Sequence, residues 1–227
     1  MSTIGRMLPR RRARTTLVVL AKEPIPGRVK TRLHPPLTLA QAAQVAAAAI
    51  DDTIEAIAAL PAAERVLAWD GVGVPLSARG YRVLPQIDGG LDERLAAIFD
   101  AHAGRPLLLI GMDTPQVDAA VLAPAFAAWP RDVDAWFGPA SDGGWWALGM
   151  REARGDLIRG IPTSRDDTGA RQLARLRDAG LRVGMLPTLT DVDGIDEAVA
   201  VADLIPRSRF AAVLANALAR TDVAVRR

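Results

Sequence analysis

The chain has 227 residues, half of them hydrophobic, with 28 basic and 26 acidic side chains and a formal charge of +2. That length suits a single α/β domain, or two small ones at most, with enough apolar content for a substantial core. The absence of cysteine excludes disulfides, thiolate metal sites and cysteine nucleophiles, and the two histidines, His34 and His102, are too few for a histidine-rich metal centre or a Ser-His-Asp arrangement.

In chain order, residues 1–14 read as a disordered basic leader carrying Arg6, Arg10, Arg11, Arg12 and Arg14. Residues 15–220 read as one domain, and residues 221–227 as a tail ending in Arg226 and Arg227. The start resembles a basic n-region before an apolar run, but Lys22-Glu23-Pro24 cuts that run short, so neither a signal peptide nor a membrane span is expected and the protein reads as cytoplasmic. Thr15 to Ala21 is a β-branched, buried first strand. A loop, Ala21 to Leu33 (AKEPIPGRVKTRL), follows it. Thr38 then caps a long alanine-rich helix running to about Leu60, with Asp51, Asp52 and Glu55 on its wet side and Pro61 as its stop.

Arg65 to Trp69 and Arg82 to Leu84 read as strands, the first closed by the turn Asp70-Gly71. Gln86 to Arg94 is a glycine turn entering a helix that runs to about Ala101. Pro106 to Ile110 (PLLLI) has the continuous apolar character of a central parallel strand covered on both faces. A helix over Val117 to Trp129, a strand over Val133 to Gly138 and the apolar WWALGM after the turn Pro139 to Gly144 come next. An arginine-rich helix (Asp166 to Ala179), a strand (Leu181 to Leu186), an acidic loop (Asp191 to Asp196) and two helical segments complete the chain. The alternation predicts a Rossmann-like α/β/α sandwich around a mostly parallel, mixed sheet.

Four stretches carry residue types suited to chemistry. The loop Ala21 to Leu33 is basic, through Lys22, Arg28, Lys30 and Arg32, and lies at the carboxyl end of the first strand, where open α/β sheets bind ligands. It is not a Walker A loop, because Pro24 and Val29 stand where that motif needs glycines. Gly27 lets the backbone approach an anion and the cations can neutralise phosphates, whereas the plainer reading is a solvated basic loop. Asp113, in a Gly-x-Asp-x-Pro turn after a buried strand, is either a hard oxygen ligand for Mg²⁺ or an Asx-turn cap of the next helix. Asp142-Gly143-Gly144 either positions an acceptor or closes a hairpin. Asp191 and Asp193 either complete a metal site with Asp113 or cap the Ile195 helix. Of Trp145 and Trp146, alternation along a strand puts at least one in the core.

Taken in order, these segments resemble the bacterial family of GT-A-type transferases described as glycosyltransferases or nucleotide-diphospho-sugar transferases. The resemblance rests on Lys22 with Gly27-Arg28-Val29-Lys30-Thr31-Arg32-Leu33, on Gln86 with Asp92-Glu93-Arg94-Leu95, and on Gly111-Met112-Asp113-Thr114-Pro115, Asp142-Gly143-Gly144 and Asp191-Val192-Asp193. The first loop is also similar to that of 2-phospho-lactate guanylyltransferases and, more distantly, of molybdenum-cofactor guanylyltransferases. The resemblance spans about residues 15–205. It implies nucleotide binding by Lys22, Gly27, Arg28, Lys30 and Arg32, catalytic roles for Lys30 and Asp113, a divalent metal (Mg²⁺ or Mn²⁺) on Asp113 and Asp193, and an acceptor side at Asp142, Gly143 and Gly144. Met112, Trp145 and Pro162-Thr163-Ser164 depart from the family's pattern, at a small residue, a tyrosine and a Trp-Ser-Thr segment respectively.

The function expected on these grounds is Mg²⁺-dependent transfer from a nucleotide-activated donor to a small-molecule acceptor. The alternative is a non-catalytic nucleotide or nucleotide-sugar binding module. The partners expected are a nucleoside triphosphate or nucleotide-sugar and the acceptor, with a homodimer compatible, and with neither nucleic acid nor membrane.

Overall fold

The structure is a computed structural model that describes residues 15–127 and 129–225; the basic leader and the Arg226-Arg227 pair lie outside the described residues. Seven strands form one sheet: β1 (Thr16–Lys22), β2 (Glu64–Asp70), β3 (Arg82–Pro85), β4 (Leu107–Gly111), β5 (Ala135–Pro139), β6 (Trp145–Met150) and β7 (Val183–Met185), in the order β3-β2-β1-β4-β6-β5-β7. All neighbouring pairs are parallel except β4 with β6 and β5 with β6. The mixed, mostly parallel α/β sheet expected from the sequence is therefore present. PLLLI is central as expected, but parallel on one side only: β4 pairs β1 in parallel and β6 in antiparallel. A run of apolar residues reports burial on both faces and carries no direction.

Helices cover both faces. Side chains alternate along β1, so Leu17, Val19 and Ala21 join the core under α1 (Leu39–Ala56) and α3 (Ala119–Phe126). Val18 faces the other way, toward α2 (Leu91–Asp100) and α4 (Thr168–Asp178). A third core lies behind α1, where Ala42, Val45 and Ala49 meet Val201, Phe210 and Leu214 of α5 (Ile195–Leu204) and α6 (Arg209–Val225). α1 is thus squeezed between sheet and helices. Its alanines permit that close approach on both sides.

Local chemistry sets the helix ends. The Thr38 hydroxyl accepts from Gln41 N (3.2 Å) and the Gln41 side chain accepts from Thr38 N (2.7 Å), a reciprocal cap. α1 stops at Ala56, short of Leu60, and Arg65 donates to the carbonyls of Ala58 (2.8 Å) and Leu60 (2.5 Å) in the turn that follows. Asp52 is not on a wet face: its carboxylate accepts from the backbone of Arg209 (3.3 Å) and Phe210 (2.7 Å) and holds the start of α6. α3 spans less than Val117 to Trp129. Asp118 starts it by accepting from Ala120 N, and at its end the Ala125 carbonyl is taken by Thr15 Oγ1 (2.7 Å) and Trp129 Nε1 (2.8 Å). Among the described residues no helix is long and apolar enough to cross a membrane.

Candidate functional site

The carboxyl ends of β1 and β4 open into a cleft of about 740 Å³. Its lining includes Lys22, Arg28, Lys30 and Arg32 from the basic loop, Asp113 after β4, Asp142 and Gly144 from the β5–β6 turn, and Asp191 and Asp193. Four stretches far apart in sequence therefore meet in one cavity. Gly27 and Gly143 do not line it. Gly27 adopts φ +80 and shapes the loop from behind, and Gly143, at φ +88, has a packing role described below. A second hollow of about 910 Å³ lies away from the strand ends, against the C-terminal half of α1, Arg65 and the segment 75–81, and holds none of the predicted site residues. The residues present, not the volume, distinguish the two.

The basic loop is pinned by its apolar positions. Val29 is buried in the core under the sheet and Leu33 in the core behind α1. Between them Lys30 takes a left-handed backbone (φ 47, ψ 37), which costs a non-glycine residue about 1–2 kcal/mol. That conformation turns the Lys30 side chain into the cleft, where it is only 7% exposed, against 57% for Arg28 and 75% for Arg32. Its ammonium lies 2.5 Å from Asp113 Oδ1 and 3.6 Å from Asp193 Oδ1. Arg32 donates to Asp193 Oδ2 at 3.0 Å. The cationic loop and both carboxylates proposed for metal are thus in direct contact.

The capping alternatives fail for Asp113, Asp191 and Asp193. Asp118, not Asp113, caps α3, and α5 is started by Gly194 with the Glu197 side chain accepting from Gly194 N (3.0 Å). The Asp113 carbonyl accepts from Val192 N at 2.9 Å, which fastens the acidic loop to the Gly-x-Asp turn. Asp191 is more enclosed than either partner. Its Oδ1 is buried without a hydrogen-bond partner among the described residues. Burial, followed by the charges of Asp113 and Asp142, pushes its carboxyl up to about 7, with Lys30 opposing and Asp193 adding to the rise.

For Asp142-Gly143-Gly144 the hairpin reading is correct as local structure. β5 and β6 are antiparallel, and Asp142 Oδ1 accepts from Gly144 N at 2.8 Å. The turn nevertheless faces the cleft, and Gly143 is required by packing. A Cβ on Gly143 would sit 1.9 Å from the Asp166 carbonyl oxygen, and the Gly143 carbonyl accepts from Gly169 N (2.8 Å) at the start of α4. Trp146 is buried and donates to the Pro187 carbonyl (3.0 Å), while Trp145 stays partly exposed on the cleft wall, as strand alternation requires. Met112 is buried, and its sulfur accepts from Lys22 N (3.2 Å), joining the ends of β1 and β4.

Sequence reasoning misses Asp70. It has the signature of a turn residue, yet its carboxylate stands between Lys22 (3.8 Å), Arg28 (3.9 Å) and Arg94 (3.4 Å). Gln86 bridges the same strand ends, donating to the carbonyls of Ala21 (2.9 Å) and Ala68 (3.0 Å) and accepting from Arg94 (3.1 Å). Glu23, the lone acid of the basic loop, accepts from Val72 N (2.7 Å) and Gly73 N (3.1 Å) and ties that loop to the β2–β3 connection. No spacing rule marks these three. The one available signal is polar side chains at the carboxyl ends of adjacent parallel strands.

The family described as "Uncharacterized protein conserved in bacteria (DUF2064)" matches residues 41–165. The chain belongs to this family. The matched segment contains Asp113 and Asp142-Gly143-Gly144, whereas the basic loop and Asp193 lie on either side of it. Among curated proteins none matches. Among solved structures, the chain is similar to a "putative nucleotide-diphospho-sugar transferase" from Desulfovibrio desulfuricans, with 25% identity and a TM-score of 0.78 over 92% of this chain and 97% of that one. A nucleotidyl transferase from Methanothermobacter shares the fold at 18% identity and a TM-score of 0.56, over 85% of this chain and 98% of that one. The 2-C-methyl-D-erythritol 4-phosphate cytidylyltransferase of Thermus thermophilus does so at 16% identity and a TM-score of 0.50, over 85% and 98%.

Proposed function

We propose that this chain is a transferase that takes a nucleotide-activated donor, with a divalent metal, and passes a group to a small-molecule acceptor. The observation that carries the reading is the contact of Lys30 with Asp113 and Asp193 in a cleft at the strand ends, where a phosphate-binding loop and a hard-oxygen site become one. The likeness to the Desulfovibrio protein supports it, since that protein is described as a "putative nucleotide-diphospho-sugar transferase".

The donor set suits Mg²⁺ or Mn²⁺. Asp113 and Asp193 offer carboxylate oxygens, and Asp191 carries a buried oxygen with no partner among the described residues. Among those residues no three acidic or histidine side chains form a complete cage. Mg²⁺ does not need one, since it commonly takes one or two carboxylates and fills its other positions with phosphate and water. When bound, the ion would supply neutralisation of charge on the donor's phosphates. Lys30 and Arg32, with Lys22 and Arg28 at the rim, add fixed positive charge for the same groups, and the arginines can bind them bidentately. Gly144, which lines the cleft, lets the acceptor approach the backbone, and the second carboxylate oxygen of Asp142, which accepts no hydrogen bond among the described residues, can hold an acceptor hydroxyl.

In the glycosyl form of the reaction the acceptor oxygen attacks the anomeric carbon and a nucleoside diphosphate leaves. In the nucleotidyl form an acceptor oxygen attacks the α-phosphorus of a triphosphate and pyrophosphate leaves. Labelled nucleotide-sugars and nucleoside triphosphates, offered with Mg²⁺ and candidate acceptors, separate the two by which product carries the label. Binding of either without turnover would instead mean a binding module. Lys30→Ala is expected to weaken nucleotide binding by about 10- to 100-fold, the range of a charge-assisted hydrogen bond. Wild-type affinity by titration calorimetry would contradict the loop's role.

A further inference from the structure

Lys30 differs from the other cations of the cleft. Arg28 and Arg32 are largely solvated, whereas the Lys30 side chain is buried and its ammonium rests on Asp113 and Asp193 together, at 2.5 and 3.6 Å. An ammonium so placed occupies Asp113 Oδ1 and lies near Asp193 Oδ1, where it competes with a divalent ion, because both prefer hard anionic oxygen. Two cations on one carboxylate oxygen repel, and in a partly enclosed cleft water screens that repulsion weakly. The root of the side chain is fixed, since Val29 and Leu33 are buried on either side and the backbone is left-handed. Beyond that root the four-carbon stem carries the rotatable bonds by which the ammonium can change partner.

We infer that Lys30 is a tethered counter-ion of the Asp113–Asp193 pair, which must be drawn off by the donor's phosphates before a divalent metal can take those carboxylates. The inference rests on the proposed function for the identity of the displacing anion. In the free protein Lys30 pairs closely with Asp113 and shares Asp193 with Arg32, and a metal entering alone must compete with it. When phosphates arrive, the ammonium transfers to them from the same backbone anchor and Asp113 is released. Metal and nucleotide then bind cooperatively, and the cleft does not hold a stray divalent ion in the absence of a donor. Lys30 is in this respect a positioning residue, separate from any contact it makes with the donor.

The test uses Mn²⁺ as probe, with free Mn²⁺ followed by electron paramagnetic resonance and no nucleotide present. Lys30→Met removes the ammonium, and Lys30→Gly removes it while suiting the left-handed backbone, so one variant remains if the other folds poorly. Both are expected to bind Mn²⁺ at least about tenfold more tightly than wild type, and Asp113→Asn added to either should abolish the gain. Mn²⁺ affinity equal to or weaker than wild type in the folded variants overturns the inference. A gain that survives Asp113→Asn overturns it as well. Nucleotide titrations of the wild type, run separately, report on the proposed function. If they show binding while Lys30 has no influence on Mn²⁺, only the inference falls. If they show none while the Mn²⁺ gain appears, the counter-ion contact stands, while the transferase reading and the release of Lys30 by a donor's phosphates both fall.

Discussion

Asp191→Asn should stabilise the metal-free protein, and only above a defined pH. The Asp191 carboxyl is pushed up to about 7, chiefly by burial and then by the charges of Asp113 and Asp142. In the unfolded chain it titrates near 4. Between about pH 4 and pH 7 the folded protein therefore holds a proton that the unfolded chain has released, and stability falls as pH rises through that window. Above about pH 7 the full penalty of a buried, repelled carboxylate is present and no longer changes. The interval from an ordinary aspartate to 7 corresponds to a ceiling of about 4 kcal/mol. Solvent access to the cleft and the flexible response of its neighbours lower that figure, so about 2 kcal/mol is expected at pH 8. Urea denaturation with a chelator present, at pH 4, 6 and 8, reads it directly. The variant should equal wild type at pH 4 and exceed it progressively toward pH 8. A difference that does not vary with pH, or a loss at pH 8, would refute the electrostatic account of this residue.

The glycine turn and the outer helices give two further expectations. Gly143→Ala should cost about 2–4 kcal/mol, because the residue sits at φ +88 and its new methyl would meet the Asp166 carbonyl at 1.9 Å. Gly160→Ala, at φ +79 with nothing within 4 Å, is the matched control and should cost about 1 kcal/mol from backbone strain alone. Equal melting temperatures for the pair would show that the turn is not held against α4. Asp52→Ala should cost about 1–3 kcal/mol by orphaning the Arg209 and Phe210 amides, with faster hydrogen exchange at the start of α6. Unchanged exchange there would remove Asp52 from the account of how α6 is held.

The residues legible in the sequence were those whose position follows from strand ends. Lys30 and Asp113 could be named because each follows an apolar strand, and parallel strands bring their carboxyl ends together. The sequence puts Asp52 on a solvated face because helical periodicity marks a polar face without showing whether another helix will need it; here α6 does. Asp70 escapes notice in the sequence for a related reason. Next to glycine it has the sequence signature of a turn, and its three cationic neighbours come from β1, the basic loop and α2. The reversed direction of β6 could not be read from WWALGM, since burial on both faces gives the same apolar run either way. The capping alternatives for Asp113, Asp191 and Asp193 could be settled only by seeing Asp118, Gly194 and Glu197 occupy those positions.

The central claim is that the basic loop and Asp113 form a single nucleotide–metal site. Its most direct test is thermal stabilisation by nucleoside triphosphates and nucleotide-sugars, with and without Mg²⁺, in wild type and Asp113→Asn. The account predicts stabilisation that Mg²⁺ strengthens in wild type and that Mg²⁺ leaves unchanged in the variant. Equal Mg²⁺-linked stabilisation in the two proteins would contradict it.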